Sequence, residues 1–310
     1  MNKVIKVYKD PKSITEIVKK EISGILNGGL ELLKKSNEAQ ITGEKAGNYI
    51  ISVSDVSYTG QSIDVNARLK DHLMKRTTVY TKFKNKLGKD PEAIGFETRQ
   101  LAVSIGRKEL EEFTIVNLPT ELNISKKKAY EKFSGAPDVA MWQNIQKSKE
   151  KLLEKMKQEI DSIPFIPWHK AANTIEDFKD IGGIYIIKNH KGRILYVGES
   201  SKLHERYERH SNTTRFSIFR RYVATKELNL ELKTRKDLGI KIRTGINKGK
   251  DSNDKKAWYL SDCDNKKVDE YTADCQIKLI AVPFGRFELE EYLIKSYKEK
   301  GNDLFNEGKN

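Results

Sequence analysis

Apolar residues fall in short blocks at two places in the chain. The clearest is Gly182-Gly183-Ile184-Tyr185-Ile186-Ile187, then the polar stretch Lys188-Asn189-His190-Lys191-Gly192-Arg193, then Ile194-Leu195-Tyr196-Val197-Gly198-Glu199-Ser200. β-Branched and aromatic residues fill both blocks, and the residues between them suit a turn, so the pattern predicts a hairpin. A turn centred between His190 and Lys191 sets Tyr185 opposite Tyr196, with both phenols on one face. A helix follows, capped by Ser200 or Ser201. Leu203 and Tyr207 fall on its buried side, and Arg206 and His210, four apart, share a face one turn from each other.

The pattern occurs twice. Gly47-Asn48-Tyr49-Ile50-Ile51 is followed by Tyr58-Thr59-Gly60-Gln61-Ser62. Arg68 stands ten residues after Tyr58, as Arg206 stands ten after Tyr196, and His72 and His210 each come four later. Ser62 is the candidate cap, with Val65, Leu69 and Leu73 on the apolar side. Further on, Glu109-Leu110-Glu111-Glu112-Phe113-Thr114-Ile115 parallels Glu288-Leu289-Glu290-Glu291-Tyr292-Leu293-Ile294, and Asn123 follows Glu111 as Asn306 follows Glu290. So ordered an internal repeat predicts two copies of one domain. Arg68 and Glu111 are 43 positions apart and Arg206 and Glu290 are 84 apart, so the second copy carries 41 more residues there.

Helical periodicity fills the rest. A strand-like run, Val4-Ile5-Lys6-Val7-Tyr8, precedes Pro11 and a helix bearing Ile14, Ile17, Val18, Ile22 and Ile25. Gly28-Gly29 is expected to interrupt it before a second short helix with Leu30, Leu32 and Leu33. Between the copies, the basic stretch Ser125-Lys126-Lys127-Lys128 leads to one long amphipathic helix. Trp142, Ile145, Leu152, Leu153, Met156 and Ile160 form its apolar face, and Lys147, Lys151, Glu154 and Lys155 its polar face. Pro164 and Pro167 end it. The predicted architecture is α/β (α+β). A helical extension spans 1–40, a first domain 41–124, a helical connector 125–170 and a second domain 171–310. Each domain is a small mixed or antiparallel sheet flanked by helices.

Charge adds a partner. Of 310 residues 33% are charged, with a net charge of +14, which favours a polyanion through counterion release. The longer second copy carries Arg215, Arg220, Arg221, Lys233, Arg235, Lys236 and the loop Arg243-Thr244-Gly245-Ile246-Asn247-Lys248-Gly249-Lys250, suited to a DNA backbone. Two cysteines, Cys263 and Cys275, without zinc-site spacing, fit a reducing, cytoplasmic setting. No apolar run approaches the ~20 residues of a membrane span. Asp262-Cys263-Asp264 is no calcium loop, since Lys267 stands where glycine is needed and no Glu closes it.

The ordered set of residues resembles the GIY-YIG endonuclease family. Gly183-Ile184-Tyr185 stands for the first motif, Tyr196-Val197-Gly198 for the second, and Arg206, His210, Glu290 and Asn306 for the residues that follow. The resemblance covers roughly 181–306 and extends to Tyr49, Tyr58, Arg68, His72, Glu111 and Asn123 in the first copy, where Asn48 replaces the isoleucine. It implies a phosphodiesterase acting on double-stranded DNA with Mg²⁺ (or Mn²⁺) on Glu290, and in the first copy on Glu111. Such an ion needs one protein carboxylate plus water and phosphate oxygens. Arg206 would neutralise the phosphate. The resemblance makes Tyr185 the base, aided by Arg206 and the metal. His210, with an ordinary pKa of about 6.5, could instead take or relay the proton, and sequence leaves both open. Tyr196 would orient the water or phosphate and Asn306 would brace the site by hydrogen bonding. The favoured role is a restriction-type enzyme with one site per strand, needing no second subunit though a homo-oligomer is compatible. The alternatives are a repair or recombination nuclease acting on branched or damaged DNA, and a DNA-binding module that does not cleave.

Overall fold

The structure, a computed structural model, describes residues 5–36, 45–118, 120–123, 131–212, 214–234, 236–239 and 258–306. Backbone contacts divide the chain into two units, Met1–Ser162 with Val282–Tyr292, and Ile163–Ala281 with Leu293–Asn310. The architecture is mixed α/β with two small antiparallel sheets among helices.

In chain order the first unit contains helix α1 (Glu16–Lys35), the hairpin β1 (Gly47–Val53) and β2 (Val56–Ser62), helices α2 (Val65–Leu73) and α3 (Thr78–Leu87), strand β3 (Glu97–Ala102) and helices α4 (Arg107–Asn117), α5 (Val139–Lys147) and α6 (Lys149–Ser162). The sheet order is β2-β1-β3, all antiparallel. The second unit begins with β4 (Ile166–Pro167) and α7 (Trp168–Ala171). The hairpin β5 (Gly183–Lys188) and β6 (Ile194–Ser200) follows, then α8 (Leu203–Asn212), α9 (Ile218–Tyr222), α10 (Asp262–Ala273) and β7 (Gln276–Ala281). Its sheet order is β4-β7-β5-β6, so β6-β5-β7 repeats β2-β1-β3 with one edge strand added. Helix α11 (Arg286–Glu299) begins in residues grouped with the first unit.

Several sequence expectations are corrected. The extension and connector are not bodies apart, because α1 packs along α4 and α5 within the first unit. Gly28-Gly29 does not interrupt α1, which runs unbroken from Glu16 to Lys35. Those glycines let α5 approach. A Cβ at Gly28 would stand 2.4 Å from the Asp138 carbonyl oxygen, and one at Gly29 2.8 Å from the Trp142 ring. The connector helix breaks at Ser148 into α5 and α6, where the Ser148 N–H is shared between the Asn144 and Ile145 carbonyls. Of the run before Pro11, Ile5, Val7 and Tyr8 are buried without forming a strand. Ser62 does not cap α2. Asp64 accepts from Ala67 N–H instead, while Ser62 closes the turn onto Asp64. Ser200 closes the matching turn onto Lys202.

The hairpin register also differs. Tyr185 pairs with Gly198 and Tyr196 with Ile187. Asn189 sets this register. Its side chain accepts from Arg193 N–H, its carbonyl accepts from Gly192 N–H, and Gly192 takes a φ of 84°. The turn centre thereby moves towards the glycine. The shift is by an even number of residues, so the two tyrosines keep one face and meet diagonally.

Candidate functional site

The first cluster is built on β1, β2 and α2. Tyr49 pairs with Gly60 across the hairpin. A Cβ on Gly60 would meet the Tyr49 hydroxyl at 2.4 Å, so glycine is required for the phenol to lie across the strand. Gly198 makes the same allowance for Tyr185, at 2.2 Å. Glycine here is a matter of space.

The phenol reaches the helix. Tyr49 Oη lies 2.7 Å from His72 Nε2, and His72 Nδ1 lies 2.6 Å from Thr77 Oγ1. In the second unit Tyr185 Oη lies 3.0 Å from His210 Nε2, and His210 Nδ1 2.6 Å from Ser217 Oγ. Both hydroxyls are N-caps. Thr77 caps α3 by accepting from Val79 N–H, and Ser217 caps α9 by accepting from Arg220 N–H. Tyr58 and Tyr196 complete the ring clusters, with centroids 6.3 Å from Tyr49 and 5.9 Å from Tyr185. Each also contacts its histidine, at 5.7 and 6.1 Å.

The arginines stand beside these chains. Arg68 is exposed and acts electrostatically on both Tyr49 and His72. Arg206 is half-buried, acts on His210, and its Nε is buried with no hydrogen-bond partner. A phosphate oxygen would satisfy that donor. Glu111 is buried on α4, within electrostatic reach of Tyr49. Glu290 is buried at the matching place on α11, in the stretch grouped with the first unit.

Electrostatics sort the roles. Burial pushes the Tyr49 phenol up, and the Tyr58 and Glu111 charges add to this. Arg68 works in the lowering direction but does not prevail. Burial, then Arg68, lowers His72 to about 4. Burial, then Arg206, Arg220 and Arg209, holds His210 well below the ordinary 6.5. Both rings are therefore neutral near pH 7 and can accept a proton.

That neutrality carries a stability cost in acid. A lowered folded pKa means that the unfolded chain binds more protons between about 4 and 6.5, so stability is lost as pH drops through that window. Urea midpoints should drop from pH 7 to pH 5, and the double variant His72→Gln/His210→Gln should show a flatter pH dependence.

The asparagines bind backbone. Asn123 Oδ1 accepts from Thr59 N–H at 2.9 Å and its Nδ2 donates to Thr59 carbonyl at 2.8 Å. Asn306 does the same to Val197, at 3.1 and 2.7 Å. Each clamps the residue after the second tyrosine. They brace the strand, and their amides are spent on it. Asn48 also has a place, since its Nδ2 donates to the Arg107 carbonyl at 2.8 Å and ties β1 to the start of α4.

Arg220 is corrected. It is buried rather than free for DNA, donating to the His210 and Ser211 carbonyls and to Thr214, and pairing with Asp269 at 2.5 Å. Arg235 and the loop 243–250 lie outside the described residues.

Sequence reading missed Thr77 and Ser217. They lie five and seven residues after their histidines, and the unequal spacing hides the correspondence. It also missed Gly106-Arg107 and Gly285-Arg286, which carry the Glu-Leu-Glu-Glu parallel three positions upstream across the unmatched Lys108 and Phe287. Within the first unit these segments grip each other. Arg107 pairs with Glu288 at 2.8 Å and Glu291 at 3.1 Å, and Arg286 pairs with Glu109 at 2.9 Å and Glu112 at 2.6 Å. Gly106 N–H donates to Glu288 and Arg286 N–H to Glu109. Gly106 and Gly285 adopt φ of 88° and 76°, where a side chain would be strained.

Among the described residues no three His, Cys, Asp or Glu side chains form a metal-binding group. A divalent ion at the first cluster would rest on Glu111 alone with water and phosphate oxygens, a donor set that fits Mg²⁺. No described helix is long and apolar enough to cross a membrane. Comparison with family models, with curated proteins and with solved structures found no match.

Proposed function

We propose that the chain is a divalent-metal-dependent DNA endonuclease of the GIY-YIG type, with two sites in one polypeptide. The observation that carries the reading is the doubled chain of contacts, Tyr49–His72–Thr77 and Tyr185–His210–Ser217, each with an arginine acting on its histidine. The net charge of +14 supports a nucleic-acid substrate. Of the roles such an enzyme could have, restriction-type cleavage of both strands uses both sites.

The contacts suggest how a buried phenol serves as base. Water attacking phosphorus gives its proton to the tyrosine oxygen while the phenol hands its own to Nε2 of the histidine. Nε2 must then begin unprotonated, so the ring carries its proton on Nδ1 and donates it to Thr77 or Ser217. The low histidine pKa keeps the ring ready, and an anionic phosphate paired with Arg68 or Arg206 offsets the guanidinium charge that opposes imidazolium. The arginine neutralises the non-bridging oxygens. Tyr58 and Tyr196 line the face where the water would stand. Mg²⁺ on Glu111 or Glu290 would supply Lewis-acid charge at the phosphate and leaving oxygen.

Purified protein incubated with supercoiled plasmid and Mg²⁺ tests the reading. Linear product that disappears with EDTA is expected. Plasmid left intact under both Mg²⁺ and Mn²⁺ would overturn it, and EDTA-independent DNA binding without cleavage would favour the binding-module alternative.

A further inference from the structure

Few large apolar side chains are exposed among the described residues, and two of them flank one functional hydroxyl. Phe216 is 57% exposed and Ile218 47% exposed, on either side of buried Ser217, whose Oγ meets His210. Cations surround them. The Arg215 guanidinium lies 4.8 Å from the Phe216 ring centroid and 5.4 Å from that of Tyr259. Arg221 lies 4.9 Å from the Trp258 ring, donates to the Arg215 carbonyl at 2.8 Å, and stands within electrostatic reach of Tyr196. Apolar tips, aromatic faces and guanidinium groups thus share one surface beside the second tyrosine–histidine pair.

Around the first cluster Ile63 and Met74 are exposed and Lys75 lies 4.8 Å from the Tyr80 ring, but no apolar side chain adjoins the capping hydroxyl. There the capping hydroxyl is Thr77, and its neighbours are Arg76, paired at the surface with Asp71, and Thr78. Burial does not explain the difference, since all four flanking side chains are exposed.

We propose that Phe216 and Ile218 form a wedge that enters a base step of double-stranded DNA beside the second site, with Arg215 and Arg221 on the flanking phosphates. The proposal rests on the nuclease reading and adds a substrate preference to it. Apolar side chains inserted between bases unstack and kink the duplex, and the ring faces can then stack on the exposed bases. The positive charge selects DNA over an apolar protein partner. Unstacking costs least where pairing is already weak, so the second site should favour mismatched or branched DNA, and the first should not.

The test uses the full-length chain in EDTA, where nothing is cut. Duplexes carry 2-aminopurine at successive steps around a mismatch, and binding is followed separately by anisotropy of an end label. A several-fold rise in 2-aminopurine emission at one step is expected on binding. It should vanish in Phe216→Ala/Ile218→Ala, while Arg76→Ala/Thr78→Ala keeps it. Arg215→Ala/Arg221→Ala should weaken binding and flatten its salt dependence. A complex formed with no rise, or a rise that survives the Phe216/Ile218 double variant, overturns the wedge even if plasmid is cleaved. A rise lost in that variant, with no cleavage under Mg²⁺, upholds the wedge and overturns the nuclease. Light scattering that shows a dimer in the parent and a monomer in the double variant assigns the face to a second copy and also overturns the wedge.

Discussion

Replacing Arg286 by alanine should destabilise the fold by about 3–5 kcal/mol, the usual cost of removing one partner from a buried ion pair. Arg286 is 3% exposed and holds Glu109, fully buried, and Glu112. Burial already raises the Glu109 carboxyl, and Arg286 is the first influence opposing that rise. Without the guanidinium the carboxyl rises further. A raised folded pKa means that the folded state holds the extra proton, so the stability it contributes is lost as pH increases. The variant should therefore be worst at alkaline pH and recover as pH falls towards the ordinary carboxyl range. Adding Glu109→Gln to Arg286→Ala should restore part of the loss at pH 8. Urea unfolding at two pH values checks both statements. An Arg286→Ala variant as stable as the parent would mean that the pairs contribute nothing net.

The largest effect on activity is expected at the two buried glutamates. Glu111→Ala and Glu290→Ala should each lower cleavage at their own site by about 10³-fold or more, the scale on which a metal's charge stabilises a transition state. On supercoiled plasmid each single variant should nick where the parent linearises, and the double variant should leave the plasmid intact. Circular dichroism would confirm that each still folds. One silent variant beside one that stops all cleavage would end the two-site reading. Were Glu111→Ala the silent one, the first cluster, where Asn48 bonds to Arg107 instead of packing as an isoleucine would, becomes the structural one.

Much of the fold is legible in the sequence because its signals are local. The strand blocks, the helical spacing of Leu203 and Tyr207, and the doubled order of residues follow from periodicity and from the repeat. Tertiary contact decides what was misread. Gly28-Gly29 looks like a break because glycine weakens helices, yet α5 presses close enough that only glycine fits. The hairpin register turned on one Asn189 side chain, a choice that composition does not reveal. In the candidate site, the second tyrosine, the arginine and the histidine fall at the same intervals in both stretches and could be matched. Thr77 and Ser217 could not, because their loops differ in length and each was hidden as an ordinary helix cap. Arg220 looked like one more surface cation until packing buried it against Asp269.

Within the first unit, the reciprocal grip of Gly106-Arg107 on Glu288 and of Arg286 on Glu109 has the form of a symmetric contact, written here into one polypeptide. Dilution cannot separate its two arms, so the contact keeps its one-to-one stoichiometry however scarce the protein. A substitution in either arm is also felt once, where in a pair of identical chains it would be felt twice. That freedom lets one arm change while the other stays as it was.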